Sequence, residues 1–207
     1  MIVWLASGNI HKKKELTKIL SDAMLPETAA VDLKIPADAG IAFDPEETGS
    51  TFLENALIKA TELYRLLGKG QPVIADDSGI CVDALDGKPG IYSARYGGKK
   101  LSDAERNARL LAEMGDNPKR SSRFVCAMVL YCGPDRFFVA QETLEGELVL
   151  NAESARGTGG FGYDPVLYIP KLGRTVAELS DEEKNRQSHR GKAGRVIGRI
   201  LSGLEIK

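Results

Sequence analysis

A chain of 207 residues, 43% of them hydrophobic, is long enough for one domain with a sizeable core, or for two lobes that share one sheet. Its 28 basic and 29 acidic residues leave a formal charge of −1, so bulk electrostatics favour neither nucleic acid nor an anionic membrane, and any anion site must be local. Three cysteines, Cys81, Cys126 and Cys132, leave one over from any pairing and lie in or beside apolar runs, so they read as reduced packing residues.

Ile2–Ala6 reads as a buried strand. It lacks a charged leader and meets polar residues too soon for a signal peptide or a spanning helix, so a cytoplasmic location is expected. Ser7-Gly8-Asn9 is a turn, and His11 to about Leu20 a helix with Leu16, Ile19 and Leu20 inward. Met24–Ser50, rich in Pro, Asp, Glu and Gly, is loop with room for a second strand around Ala30–Leu33. Thr51 and Glu54 match a capping box ahead of a helix that carries Leu53, Ala56, Leu57, Ala60, Leu63 and Leu67 until Gly68 and Gly70 stop it. A strand follows over Pro72–Ala75, ending in Asp76-Asp77-Ser78-Gly79.

After turns at Asp86-Gly87 and Pro89-Gly90, Ser102 and Glu105 cap a helix with Leu110, Leu111 and Met114 inward, ending at Gly115. Phe124–Tyr131, Phe137–Gln141 and Leu144–Leu150 read as three short strands in an antiparallel arrangement, the first two joined by Cys132–Asp135. Beyond a glycine-rich stretch lie a strand at Val166–Ile169 and a helical turn capped at Ser180. The last element is a helix bearing Val196, Ile197, Ile200, Leu201 and Leu204. There is no internal repeat, low-complexity tract or linker.

Four polar constellations stand out on this scaffold. In Ser7-Gly8-Asn9-Ile10-His11-Lys12, free N–H groups at a helix start and a lysine cluster suit phosphate oxygens; an Asn9 cap beside a solvated lysine face is the alternative. Glu46, Glu47 and Glu54 flank a helix start, and Asp76 and Asp77 end the next strand on opposite faces. Such carboxylates suit Mg²⁺, with Glu54 read as the cap partner of Thr51 and Glu46 and Glu47 equally suited to the helix dipole. Gly157-Thr-Gly-Gly-Phe161-Gly162-Tyr163-Asp164 combines four glycines with two aromatic faces and a carboxylate. A base could stack there for about 1–3 kcal/mol, unless the run is a bulge or corner with core aromatics. Lys184 and Ser188-His189-Arg190 supply donors for a carbonyl or phosphate oxygen, or else a cap and a solvated face. Two histidines make neither a Ser–His–Asp system nor a His/Cys metal set.

Seven motifs in order resemble the inosine triphosphate pyrophosphatase family almost end to end. They are Ser7-Gly-Asn-x-x-Lys12, Glu46-Glu-Thr-Gly49, Phe52-x-Glu-Asn-Ala56, Ala75-Asp-Asp-Ser-Gly79, Pro89-Gly-Ile-Tyr-Ser-Ala-Arg95, Gly157–Asp164 and Ser188-His-Arg190. The resemblance implies an α/β fold with a long, bent mixed sheet flanked by helices, as a single 1–207 domain of two lobes with a nucleotide cleft between them, in a homodimer. It also implies Mg²⁺-dependent hydrolysis of ITP, dITP or XTP to monophosphate and pyrophosphate, which clears deaminated purines. Neither nucleic acid nor membrane is an expected partner.

Carried over by motif, Ser7, Gly8, Asn9 and Lys12 are expected to hold phosphates. Asp77 is expected to be the catalytic base and a metal carboxylate, and Glu47 a further metal ligand. Ser78 and Lys184 are expected to touch substrate, Phe161, Gly162, Tyr163 and Asp164 to cradle base and sugar, and His189 with Arg190 to read the purine edge. Arg190 would favour a 6-keto purine because adenine's amino group would oppose donor with donor. Rival readings are a pyrophosphatase acting on pyrimidine triphosphates and a nucleotide sensor without turnover.

Overall fold

The computed structural model describes residues 1–25, 30–68 and 70–204, so part of the loop expected over Met24–Ser50 lies outside the described residues. Its strands are β1 (Ile2–Leu5), β2 (Asp32–Lys34), β3 (Val73–Val82), β4 (Ser121–Tyr131), β5 (Phe137–Leu148), β6 (Leu167–Ile169) and β7 (Arg174–Thr175). The helices are α1 (Ile10–Ala23), α2 (Phe52–Leu66), α3 (Asp103–Met114), α4 (Asp181–Gln187) and α5 (His189–Ser202). The sheet order is β2-β1-β3-β4-β5-β6-β7. β1 runs parallel to β2 and β3, whereas β6 is antiparallel to β5 and β7, so this is the mixed α/β sheet expected. By internal packing the chain divides into two compact units: Met1–Asp77 with Cys126–Glu142 and His189–Lys207, and Ser78–Val125 with Thr143–Ser188.

In the first unit the period-2 alternation of strands decides which helix covers which face. Val3 and Leu5 of β1, Ile74 of β3, and Cys126, Met128 and Leu130 of β4 form one core with Leu16 and Leu20 of α1 and Ala193, Ile197 and Leu201 of α5. The intervening residues, Trp4, Ala6, Val73, Ala75, Val129 and Tyr131, pack instead with Ala56, Ala60 and Leu63 of α2. α1 and α5 approach closely because Gly194 and Gly198 face Ile19 and Ala23. A Cβ at either position would lie 2.7 or 2.8 Å from those side chains. Val196 is 37% exposed, because it falls off the stripe set by Gly194, Ile197, Gly198 and Leu201.

The second unit packs Ile80 and Val82 of β3, Leu110, Leu111 and Met114 of α3, and Tyr163, Val166, Leu167 and Ile169 into its own core. Two strand boundaries differ from expectation. β3 does not stop at Ala75 but continues through the carboxylates to Val82, so Asp76 and Asp77 sit mid-strand. It can do so because each finds buried cationic partners. Phe137–Gln141 and Leu144–Leu148 are one strand, since Glu142 and Thr143 keep extended backbone without a turn.

Candidate active site

Alternation along β3 separates the two carboxylates, as the sequence implied. Asp76, 1% exposed, shares the α1 and α5 face with Ile74. Its Oδ1 lies 3.0 Å from Lys12 Nζ, and its Oδ2 accepts from Arg190 Nε and a terminal guanidinium nitrogen at 3.3 and 3.2 Å. Glu15 holds the other terminal nitrogen of Arg190 at 2.7 Å. Burial alone would raise the Asp76 carboxyl, but Lys12, Arg190 and Lys59 outweigh it and hold it well below the usual carboxylate range. Burial opposes the charge on Arg190 too, and Asp76 and Glu15 more than restore it, so both groups stay ionised.

Asp77, 7% exposed, belongs to the α2 face. Asn55 and Lys59, one helical turn apart on the buried side of α2, reach it: Lys59 Nζ is 2.9 Å from Oδ1 and Asn55 Nδ2 donates to Oδ2 at 3.3 Å. Asn55 Oδ1 accepts from Gly49 N–H at 2.9 Å, which pins the Glu46–Gly49 segment to the same helix. Lys59 Nζ also contacts Glu47 Oε1 at 2.8 Å, so Glu47 and Asp77 converge on one positive charge. Burial pushes the Asp77 carboxyl above its ordinary value although Lys59 pulls it down. Lys59 is held charged against burial by Asp77, Asp76 and Glu47.

Two hard oxygens aimed at one cation fit Mg²⁺, which takes one or two protein carboxylates and fills its other positions with water and phosphate. Among the described residues no group of three or more His, Cys, Asp or Glu is placed to hold a metal ion. Glu46 is exposed, and Glu54 is committed to the cap, accepting from Ser50 N–H at 2.6 Å and Thr51 N–H at 3.2 Å.

The Ser7–Lys12 turn is built by its own side chains. Asn9 Oδ1 accepts from His11 and Lys12 N–H at 2.9 and 3.2 Å, and Ser7 Oγ accepts from Asn9 N–H at 3.1 Å. The cap reading is therefore real, and Gly8 lies exposed beside it. Lys12 turns to Asp76. Lys13 stays at the surface and pairs there with Asp38 at 2.8 Å, because a 3₁₀ turn at Pro36–Ala39 carries that carboxylate to α1.

In the second unit, Asp164 is 3% exposed, accepts from Phe161 N–H at 2.8 Å and pairs with Lys184 Nζ at 2.8 Å; that ammonium also sits 4.8 Å over the Phe161 ring. Ser78 is half-buried. Tyr163 does not offer the flat face expected of it. It is 6% exposed in the core, donates to Ser93 O at 2.9 Å, and burial raises its phenol. What approaches the glycine backbone is partly the chain itself: a Cβ on Gly157, at φ 80°, would lie 2.3 Å from the Ala177 carbonyl carbon. His189 and Arg190, expected at the substrate, are 6% and 3% exposed at the start of α5 in the first unit.

Sequence reasoning missed Lys59 and Asn55. The signal was there: both polar residues fall on the helical stripe of Ala56, Ala60 and Leu63, where a solvated side chain has no place.

Fold and site define an α/β protein whose third strand carries a buried, cation-matched pair of carboxylates. The Ham1 family model matches residues 3–198, and the chain belongs to the Ham1 family. A dITP/XTP pyrophosphatase of Treponema denticola is 48% identical over 206 residues, covering 98% of this chain and 100% of the relative. One from Escherichia coli is 43% identical over 199 residues, 94% of this chain and 95% of the relative. Among solved structures, a Ham1 protein from Coxiella burnetii superposes with a TM-score of 0.86 at 36% identity, covering 99% of this chain and 100% of that one. The expected family and the mixed α/β fold are thereby borne out.

Proposed function

We propose that this chain is a nucleoside triphosphate pyrophosphatase that hydrolyses dITP, XTP and ITP to the monophosphate and pyrophosphate, removing deaminated purine nucleotides. The observation that carries the reading is the centre on β3: a buried carboxylate, Asp77, whose proton affinity burial raises, beside Glu47 and the Lys59 ammonium. The names of close, full-length relatives support it.

Water attacking a triphosphate meets a crowded, negative centre, so charge neutralisation and positioning matter before any base does. Glu47 and Asp77 would hold Mg²⁺, which when bound supplies charge neutralisation for the phosphate oxygens. Asp77 orients the attacking water and takes its proton at a carboxylate oxygen. The Gly8 backbone and the side chains of Ser7, Asn9 and Lys12 receive phosphate oxygens, and Ser78 and Lys184 contact substrate. Phe161, Gly162, Tyr163 and Asp164 hold base and sugar, Tyr163 through its backbone. His189 and Arg190 read the 6-keto edge, with Asp76 and Glu15 fixing the guanidinium plane. Among the described residues no helix is long and apolar enough to cross a membrane; a cytoplasmic homodimer that binds neither nucleic acid nor membrane completes the proposal.

The test is a panel of dITP, XTP, dTTP, UTP, ATP and GTP with Mg²⁺, read as pyrophosphate and as orthophosphate. Pyrophosphate from dITP and XTP far ahead of the rest is expected. A preference for dTTP or UTP would select the pyrimidine reading, and binding without product a sensor.

A further inference from the structure

We propose that Asp103 and Asn107 of α3 are positioning residues for the Phe161–Asp164 loop, and thereby for substrate affinity, an inference that rests on the base-holding role proposed for that loop. The two lie four residues apart, on one helix face. Gly162 N–H donates to Asp103 Oδ2 at 2.7 Å, and Asn107 Nδ2 donates to Gly162 O at 3.0 Å, so α3 grips both main-chain polar groups of the residue between Phe161 and Tyr163. From inside the loop, Asp164 grips Phe161 N–H at 2.8 Å. A pocket of about 310 Å³, lined in part by Asp103, Asn107, Phe161 and Gly162, opens where loop and helix meet, so at Gly162 these hydrogen bonds supplement the apolar contact that Leu110 and Leu111 share with Tyr163 and Val166.

Neither residue caps the helix, although Asp103 lies in its first turn with an oxygen 3.8 Å from Arg106 Nε. The N-terminus of α3 is already capped by Ser102 and Glu105, each accepting from the other's N–H at 3.3 and 2.7 Å. Asn107, 8% exposed beside Leu110 and Leu111, has its Oδ1 buried without a hydrogen-bond partner among the described residues. A buried, unmet acceptor is unfavourable, and a leucine would pack there without it. An amide kept at such a position is held for its one productive contact, the Gly162 carbonyl.

The variants that test this are Asp103→Ala, Asn107→Leu and the conservative Asp103→Asn, which keeps an acceptor oxygen. Pyrophosphate release from dITP with Mg²⁺, the melting temperature, and Gly162 amide exchange by NMR are measured on each. Asp103→Ala and Asn107→Leu are expected to raise KM for dITP about fivefold, with kcat changed by less than about twofold. Gly162 should exchange faster in Asp103→Ala, Asp103→Asn should restore most of the affinity, and Asn107→Leu should melt no lower than wild type. An unchanged KM in both disrupting variants, alongside normal wild-type turnover, overturns the proposal. A rise in KM in Asn107→Leu that merely follows a lower melting temperature overturns it equally. Wild-type protein that releases no pyrophosphate from dITP refutes the functional reading instead, and the clamp then stands or falls on Gly162 exchange alone.

Discussion

Asp76→Asn separates the anchoring carboxylate from Asp77, the proposed base. Asp76 is buried between Lys12 Nζ at 3.0 Å and the Arg190 guanidinium at 3.2 Å, so neutralising it strands two cations. Removing one partner of a buried ion pair costs about 3–5 kcal/mol. Lys12 retains 15% exposure and can rehydrate, and Arg190 keeps Glu15 at 2.7 Å, which places the expected loss near the lower end, about 3 kcal/mol. For a chain of this length that is a fall of about 6–12 °C in melting temperature. In urea it is a midpoint shift of about 1.5 M at an m-value of about 2 kcal/mol/M. Adding Arg190→Met removes one stranded charge, so the double variant should recover part of the loss. Melting and urea curves of the wild type, both single variants and the double variant give the coupling directly. A shift below about 0.5 kcal/mol, or strictly additive losses, would refute the view that Asp76 is a buried counter-ion.

The pH dependence follows from the same residue. Its folded pKa lies below the ordinary 3.8, so its stabilisation is complete above that value and is lost as pH falls from there through the folded pKa. Between about pH 4 and about pH 2 the urea midpoint of the wild type should therefore fall more steeply than that of Asp76→Asn. Lys59→Met leaves Glu47 and Asp77 facing each other without their shared ammonium, and turnover of dITP should drop at least about tenfold with circular dichroism unchanged. Turnover within twofold of wild type would remove Lys59 from the site. Gly157→Ala sets a Cβ 2.3 Å from the Ala177 carbonyl carbon at a φ of 80°, so a loss of about 2–4 kcal/mol is expected by urea denaturation.

The sequence made the helices legible because their signals are local. The Thr51–Glu54 and Ser102–Glu105 caps and the apolar stripes of α1, α2 and α3 lie within a few residues of one another. The opposed directions of Asp76 and Asp77 were legible for the same reason, since strand alternation needs no tertiary information. The extent of β3 was not, because two adjacent carboxylates read as a turn until their cationic partners at Lys12, Lys59 and Arg190 are known, and those come from remote parts of the chain. The buried position of Tyr163 was hidden likewise: its hydroxyl partner, Ser93 O, lies seventy residues away in sequence. Motif order carried the family, while packing alone showed that Asn55 and Lys59 serve Asp77.

The most direct test is ³¹P NMR of dITP turnover with Mg²⁺ by wild-type protein and by Asp77→Asn, the two first shown to melt as cooperative folds. Wild type should convert dITP to dIMP and pyrophosphate in equal amounts, and Asp77→Asn should leave dITP intact over the same interval. Orthophosphate accumulating with dIDP, or undiminished turnover by Asp77→Asn, would contradict the assignment of this centre.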